Sequence, residues 1–200
     1  MVVFFGSPDS SATRTHWMLE EVGVPYDHRV IDLSQPRDQR PAEFRATSPS
    51  GKVPALIDGD VRLFESMAIN LYLAERYRPE LGPRDSGERG EMLQWCFWVA
   101  MNVHPLLIAV LYHTALLPEV ERRPEEAEQN RGWSADYFTA LDRALAGKDW
   151  LVGGRFTVAE VAVGSIVEQA DGLGVRLGDN IRAWMKRFQA RPAYQRVRRA

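Results

Sequence analysis

A chain of 200 residues and 22.7 kDa, 45% of them hydrophobic, is long enough to bury a core as one large domain or two small ones. Its 25 basic and 27 acidic side chains leave a net charge of −2, which excludes the one-sided field that draws a protein to nucleic acid or anionic lipid. A single cysteine, Cys96, excludes an internal disulfide, a Cys-x-x-Cys redox pair and a cysteine-rich metal centre; no metal is expected, and Cys96 between Trp95 and Phe97 reads as core.

The opening MVVFF is short and lacks a basic flank, so it does not read as a secretory leader. No apolar run is expected to approach the roughly 18 residues of a membrane span, and a cytosolic protein is anticipated. Val2 to Phe5 followed by Gly-Ser-Pro reads as a buried strand ending in a turn. From about Ala12 the pattern turns helical, with Trp17, Met18, Leu19 and Val22 on one face and Gly23 and Pro25 as stop signals. A second strand is expected over His28 to Leu33, which completes a β-α-β unit with parallel strands. A helical turn follows around Phe44, and then Ala55-Leu56-Ile57 and Val61-Arg62-Leu63 joined by Asp58-Gly59-Asp60 predict a β-hairpin. After Glu65, Ile69, Tyr72, Leu73 and Tyr77 fall at helical spacing.

Residues 79–89 lose apolar periodicity and collect proline, glycine and charge, as an interdomain linker does. Everything after them reads as helix. Met92 to Leu117 is long and apolar, with a kink or break expected at His104-Pro105. Glu125 to Ala146 is amphipathic. Phe156-Thr157-Val158-Ala159-Glu160-Val161 reads as a capping box with a hydrophobic staple, and Asn180 to Gln189 is the last clear helix. The arginine-rich stretch from Arg191 onward reads as a solvated end.

The hairpin carries chemistry at both ends. A cis Val53-Pro54 bond would turn the Val53 main chain outward, where a peptide-like ligand pairs as an extra strand. Glu65-Ser66 stands where a helix begins, a place where free amides and a hydroxyl hold a carboxylate, while Glu65 meets an ammonium. The Ser7-to-Ser11 turn aims hydroxyls and amides where a thiolate can be stabilised. Lowering a thiol from about 8.5 by two units takes roughly 2.7 kcal/mol, within reach of one or two charge-assisted hydrogen bonds and a helix end.

Pro8-x-Ser10-x-x-x-Arg14, Leu19-Glu20-Glu21-x-Gly23-x-Pro25-Tyr26, Ser48-Pro49-x-Gly51-Lys52-Val53-Pro54-Ala55-Leu56, Glu65-Ser66-x-Ala68-Ile69-x-x-Tyr72-Leu73 and the Thr157 box together resemble the cytosolic glutathione S-transferase family, of bacterial type, nearly end to end. The resemblance implies an N-terminal thioredoxin-like βαβαββα domain (residues 1–78) that binds glutathione and an all-helical domain (residues 90–200) that shapes the pocket for a hydrophobic electrophile. It also implies a homodimer. Carried over residue by residue, Val53 pairs with the cysteinyl backbone of glutathione, Pro54 is cis, Glu65 and Ser66 hold the γ-glutamyl end, and Lys52 reaches a glutathione carboxylate.

The thiolate partner is Ser10 when the motif is aligned on Arg14 and Ser11 when it is aligned on Gly23, where β-class members carry cysteine. Without a cysteine at either place, mixed-disulfide chemistry through the enzyme is not expected. Trp95, Ala100, Met101 and His104 fall on the helix that lines the co-substrate pocket, with His104 and Met101 as substrate contacts, although Phe97 replaces an asparagine of the β-class. Pro36 stands where that class has a lysine for the glycyl carboxylate, leaving Arg37 or Arg40 as substitutes. A non-catalytic interaction module and a glutathione-dependent isomerase of the ζ-class type stay open; the latter departs at Ala12 and Thr13.

Overall fold

A computed structural model describes residues 1–8 and 10–199. The chain divides into two compact units, one formed by residues 1–84 with 191–200 and the other by residues 85–190. The first is a four-stranded sheet with helices: β1 (Val2–Gly6), α1 (Ala12–Val22), β2 (Tyr26–Val30), α2 (Ala42–Thr47), β3 (Ala55–Asp58), β4 (Val61–Phe64) and α3 (Ser66–Tyr77). The strand order is β2-β1-β3-β4, with β1 and β2 parallel and β3 antiparallel to both its neighbours. This is the thioredoxin-like arrangement.

Strand β2 starts and stops earlier than the expected His28–Leu33 span. It is an edge strand whose only partner among the described residues is the five-residue β1, so pairing begins at Val2↔Tyr26 and ends at Gly6↔Val30. Ile31 makes one further bond to the Gly6 carbonyl and turns into the core. α1 closes on Gly23 at φ 72°, whose amide returns to the Leu19 carbonyl at 2.9 Å, a conformation that costs glycine little. The turn carboxylate of Asp58 accepts the hydroxyls of Tyr72 at 2.8 Å and Tyr77 at 2.5 Å, which ties α3 to the hairpin. Burial pushes the Asp58 carboxyl up, yet the two phenols outweigh it and hold the group below its usual value. The Tyr77 phenol, through burial and that bond, is pushed up to about 12.

The second unit is helical: α4 (Ser86–Trp98), α5 (His104–Leu111), α6 (Pro124–Ala144), α7 (Val158–Gly172) and α8 (Asp179–Gln189). The expected linker is partly structured, because Pro79–Leu81 form a 3₁₀ turn and α4 starts at Ser86, with Asp85 accepting the Glu88 amide at 2.9 Å. Of the kink or break expected at His104-Pro105, a break is not found. A π-helical segment at Val99–Val103 joins α4 to α5, and the His104 amide bonds the Val99 carbonyl five residues back. Wide turns of this kind absorb a proline without ending the helix. Helix therefore runs from Ser86 to Leu116, with an 18-residue window of mean hydropathy 1.5, long and apolar enough by that measure to cross a membrane, contrary to expectation. This helix packs on α6 and α7.

The capping box is present at the start of α7. The Thr157 hydroxyl accepts the Ala159 amide at 3.2 Å, and the Glu160 carboxylate accepts the Thr157 amide at 2.7 Å. Its second oxygen accepts the Leu151 amide, also at 2.7 Å. Ten residues of α7 are buried, and Trp184, Phe188 and Phe138 of α8 and α6 complete the core.

The stretch read as a solvated end is instead a helix, α9 (Pro192–Arg199), that belongs to the first unit. Ala193, Tyr194 and Val197 form a narrow buried stripe among its arginines, and the Tyr194 ring meets Trp17 edge-on at 5.1 Å. The Arg191 guanidinium bonds both oxygens of buried Glu21 at 2.7 Å, and Glu21 also accepts the Trp17 indole N–H at 2.9 Å. Removing one partner of such a pair strands a buried charge. Arg191→Met is expected to cost about 3 kcal/mol and to free the C-terminal helix for proteolysis, checked by urea unfolding and by limited digestion of the variant.

Candidate active site

Three corners of the first unit meet at the start of α1. Ser10 stands one residue before the Ser11 N-cap of this helix: its hydroxyl donates to the Ser7 carbonyl at 2.6 Å and accepts the Ala12 amide at 3.1 Å. Ser11, one residue on, reaches across 42 residues to donate to the Val53 carbonyl at 2.9 Å. One turn further, buried Arg14 directs Nη1 at the Ser66 hydroxyl, 3.4 Å away, and its carbonyl lies 3.4 Å from the Asn70 amide nitrogen. A single helix end is thus bonded to both ends of the hairpin.

The second corner is the Val53-Pro54 peptide, which is cis. Val53 and Pro54 are buried, and Lys52 is exposed. Ser48 holds the main chain of Lys52 on both sides, donating to its carbonyl at 2.7 Å and accepting its amide at 3.2 Å. Of the two basic residues considered for the glycyl carboxylate, Arg40 is committed elsewhere. Its guanidinium donates to the carbonyls of Gly51 at 2.5 Å, Leu33 at 2.9 Å and Gln35 at 3.1 Å. It therefore staples the loop and leaves Arg37, whose side chain packs within 3.2 Å of the position a Gly51 Cβ would take.

The third corner is the start of α3. Glu65 has φ 71° and ψ 112° and is the only non-glycine residue at positive φ among those described. Such a conformation costs of order 1–3 kcal/mol and persists where the surroundings enforce it, often at ligand sites. Here it turns the chain from β4 directly into α3, so Ser66 is buried beside Arg14. Free first-turn amides, a hydroxyl and a guanidinium together suit a carboxylate. In the sequence Arg14 stands out only as the end of the Pro8-x-Ser10-x-x-x-Arg14 motif. Its signal was present as a lone arginine on the face shared by Trp17 and Met18, a place where charge stays only when something holds it.

Met101 and His104 lie in the second unit, within and just after the π-helical segment; Met101 is 72% exposed and His104 half-buried. Phe97, one turn before Met101, is 63% exposed. Trp98 packs edge-on between Trp95 at 5.2 Å and Tyr137 at 6.2 Å, and Cys96 is buried as expected.

Sequence models of the glutathione S-transferase N-terminal and C-terminal domains match residues 1–75 and 99–192. The chain belongs to the glutathione S-transferase family. A glutathione S-transferase of Arabidopsis thaliana is 30% identical over 94% of this chain and 92% of its own length. The disulfide-bond oxidoreductase YfcG of Escherichia coli is 27% identical over 96% of this chain and 92% of its own. Among solved structures, a theta class glutathione S-transferase from Xanthomonas axonopodis pv. citri with glutathione bound superimposes with a TM-score of 0.88 at 30% identity, covering 98% of this chain and 96% of that one. The glutathione S-transferase fold accounts for both units, the sheet-containing one and the helical one.

Proposed function

We propose that this glutathione S-transferase family member is a cytosolic, homodimeric transferase that binds glutathione, holds its sulfur as a thiolate and adds it to a hydrophobic electrophile. The observation that carries the reading is the pair of bonds from the start of α1, Ser11 to Val53 and Arg14 to Ser66, which draw the strand-like edge and the carboxylate site to one helix end. Glutathione would lie with its cysteinyl backbone along Val53 and its γ-glutamyl carboxylate at Ser66, the α3 amides and Arg14. Glu65 would meet its ammonium, and Lys52 and Arg37 would face the glycyl carboxylate. The exposed apolar residues Phe97 and Met101 support an apolar co-substrate, with His104 as a further contact.

Ser10 is the group assigned to the thiolate. The Ser11 hydroxyl proton is spent on the Val53 carbonyl, and withdrawing it would loosen the edge that positions the ligand. The Ser10 proton is spent only three residues back, on Ser7, and a rotation about one bond redirects it to sulfur. Activation by a hydrogen bond and a helix end, together with proximity, supplies the rate. Ser10→Ala is expected to raise the pKa of bound glutathione by about 1–2 units, read from thiolate absorbance against pH, with Ser11→Ala instead weakening glutathione binding. An unshifted thiol in Ser10→Ala rejects the assignment, and failure of the unaltered protein to bind glutathione rejects the function.

The YfcG relationship favours a second reading at the same site. A bound glutathione thiolate attacks a disulfide, displaces one thiolate and forms a mixed disulfide on glutathione; a second glutathione thiolate then releases the other thiolate and leaves oxidised glutathione. No protein cysteine takes part, since Cys96 is buried in the second unit. Assay of a small organic disulfide beside an aryl halide separates the two reactions.

A further inference from the structure

The buried face of α3 carries Ile69, Leu73 and Ala74, and a carboxamide, Asn70, interrupts it. Asn70 is fully buried where α3 packs on α1. Its Nδ2 donates to the Arg14 carbonyl at 3.4 Å, while its Oδ1 has no hydrogen-bond partner among the described residues. Thr15, the residue after Arg14 and equally buried, leaves its hydroxyl oxygen in the same condition. A buried polar atom left unpaired costs free energy that an apolar side chain of similar shape avoids. Leucine at position 70 would fill nearly the same space, so packing alone gives no reason for the amide.

The one bond that Asn70 does make supplies a reason. Ser66 lies one turn earlier on the same buried face of α3, and its hydroxyl is the group that Arg14 Nη1 approaches at 3.4 Å. Arg14 is thus tied to α3 twice, by its side chain to Ser66 and by its main chain to Asn70. Both ties are long for hydrogen bonds, so neither alone fixes the guanidinium against the helix start. The Arg14 carbonyl lies inside α1 and has its helical partner with or without Asn70. What the amide adds is register: it sets the level of Arg14 against the first turn of α3. Charge-assisted bonds to a carboxylate depend steeply on such placement.

We propose that Asn70 is a positioning residue for the γ-glutamyl carboxylate: it holds Arg14 level with Ser66 and the free amides of α3, and acts on the ligand only through Arg14. This rests on the glutathione reading above. The test is calorimetric titration of the full-length protein and its variants with glutathione, γ-glutamylcysteine and cysteinylglycine, beside thermal unfolding. Asn70→Leu is expected to bind glutathione and γ-glutamylcysteine about tenfold more weakly and cysteinylglycine as the unaltered protein does. Its Tm should rise by about 2–4 °C, because the unpaired acceptor is gone. Asn70→Ala removes the amide without adding bulk; it should show the same fragment pattern at a lower Tm, and it carries the test if the leucine variant does not fold. In the double variant Arg14→Met with Asn70→Leu, glutathione should bind about as it does to Arg14→Met alone, since nothing is left for Asn70 to position. Additive losses, equal losses for the two fragments, or full affinity in the Asn70 variants would each overturn the proposal while leaving glutathione binding by the unaltered protein in place. Absence of that binding would reject the glutathione reading, and this proposal with it.

Discussion

Replacing Glu160 by alanine is expected to cost about 4 kcal/mol and to lower Tm by roughly 10 °C for a chain of this size. The carboxylate is fully buried and accepts three bonds: the Thr157 amide, the Thr157 hydroxyl at 2.6 Å and the Leu151 amide. Alanine would leave two buried main-chain N–H groups with no acceptor at the start of the helix around which the second unit is packed. Glutamine does not rescue the site, because both oxygens accept and its NH₂ would face a donor. Burial also pushes the Glu160 carboxyl up to about 7 against the pull of those bonds, from a usual value of 4.5. Between these values the folded chain holds a proton that the unfolded chain has released. The contribution is therefore full below about 4.5 and lost as pH rises through about 7. Urea unfolding at both ends of this window checks the sign, and Glu160→Gln should remove the slope.

Arg14→Met is expected to weaken glutathione binding about a hundredfold, the worth of roughly 3 kcal/mol from a charged hydrogen bond in a buried setting, while changing stability far less. Methionine fills much of the same space on the α1–α3 interface without a charge to strand. Calorimetric titration with two fragments locates the loss. γ-Glutamylcysteine should lose affinity by the same factor as glutathione, whereas cysteinylglycine, which lacks the γ-glutamyl carboxylate, should bind as it does to the unaltered protein. Equal losses for both fragments would mean that Arg14 shapes the whole site and does not meet that carboxylate. No loss for either would remove it from the site.

The signals that read true from the sequence are those that act over a few residues. Asp58-Gly59-Asp60 makes a hairpin because its turn geometry is local, and Thr157 with Glu160 caps a helix because both partners lie within one turn. Gly23 ends α1 for the same reason. Val53-Pro54 and Glu65-Ser66 stood out as two corners of one small motif. Misreadings arose where neighbours decide the outcome. β2 is cut to the length of β1, the strand it pairs with. Of the kink or break expected at Pro105, the break is absent because the preceding turns widen, and the arginines around Tyr194 hid a three-residue stripe that docks on Trp17.

By itself the sequence determined the order of elements, their caps and turns, and the residue types gathered near the two ends of the hairpin, since helix periodicity, turn chemistry and capping depend on residues close together in the chain. Only the tertiary structure decided which of those residues share a site. Ser11 meets Val53 across 42 residues and Arg14 meets Ser66 across 52, Arg40 turns out to be a loop staple, and Glu21 finds its counter-charge 170 residues away. A guanidinium or hydroxyl carries no mark in the sequence of the carbonyl or carboxylate it will meet; that choice is made when burial forces each polar group to find a partner.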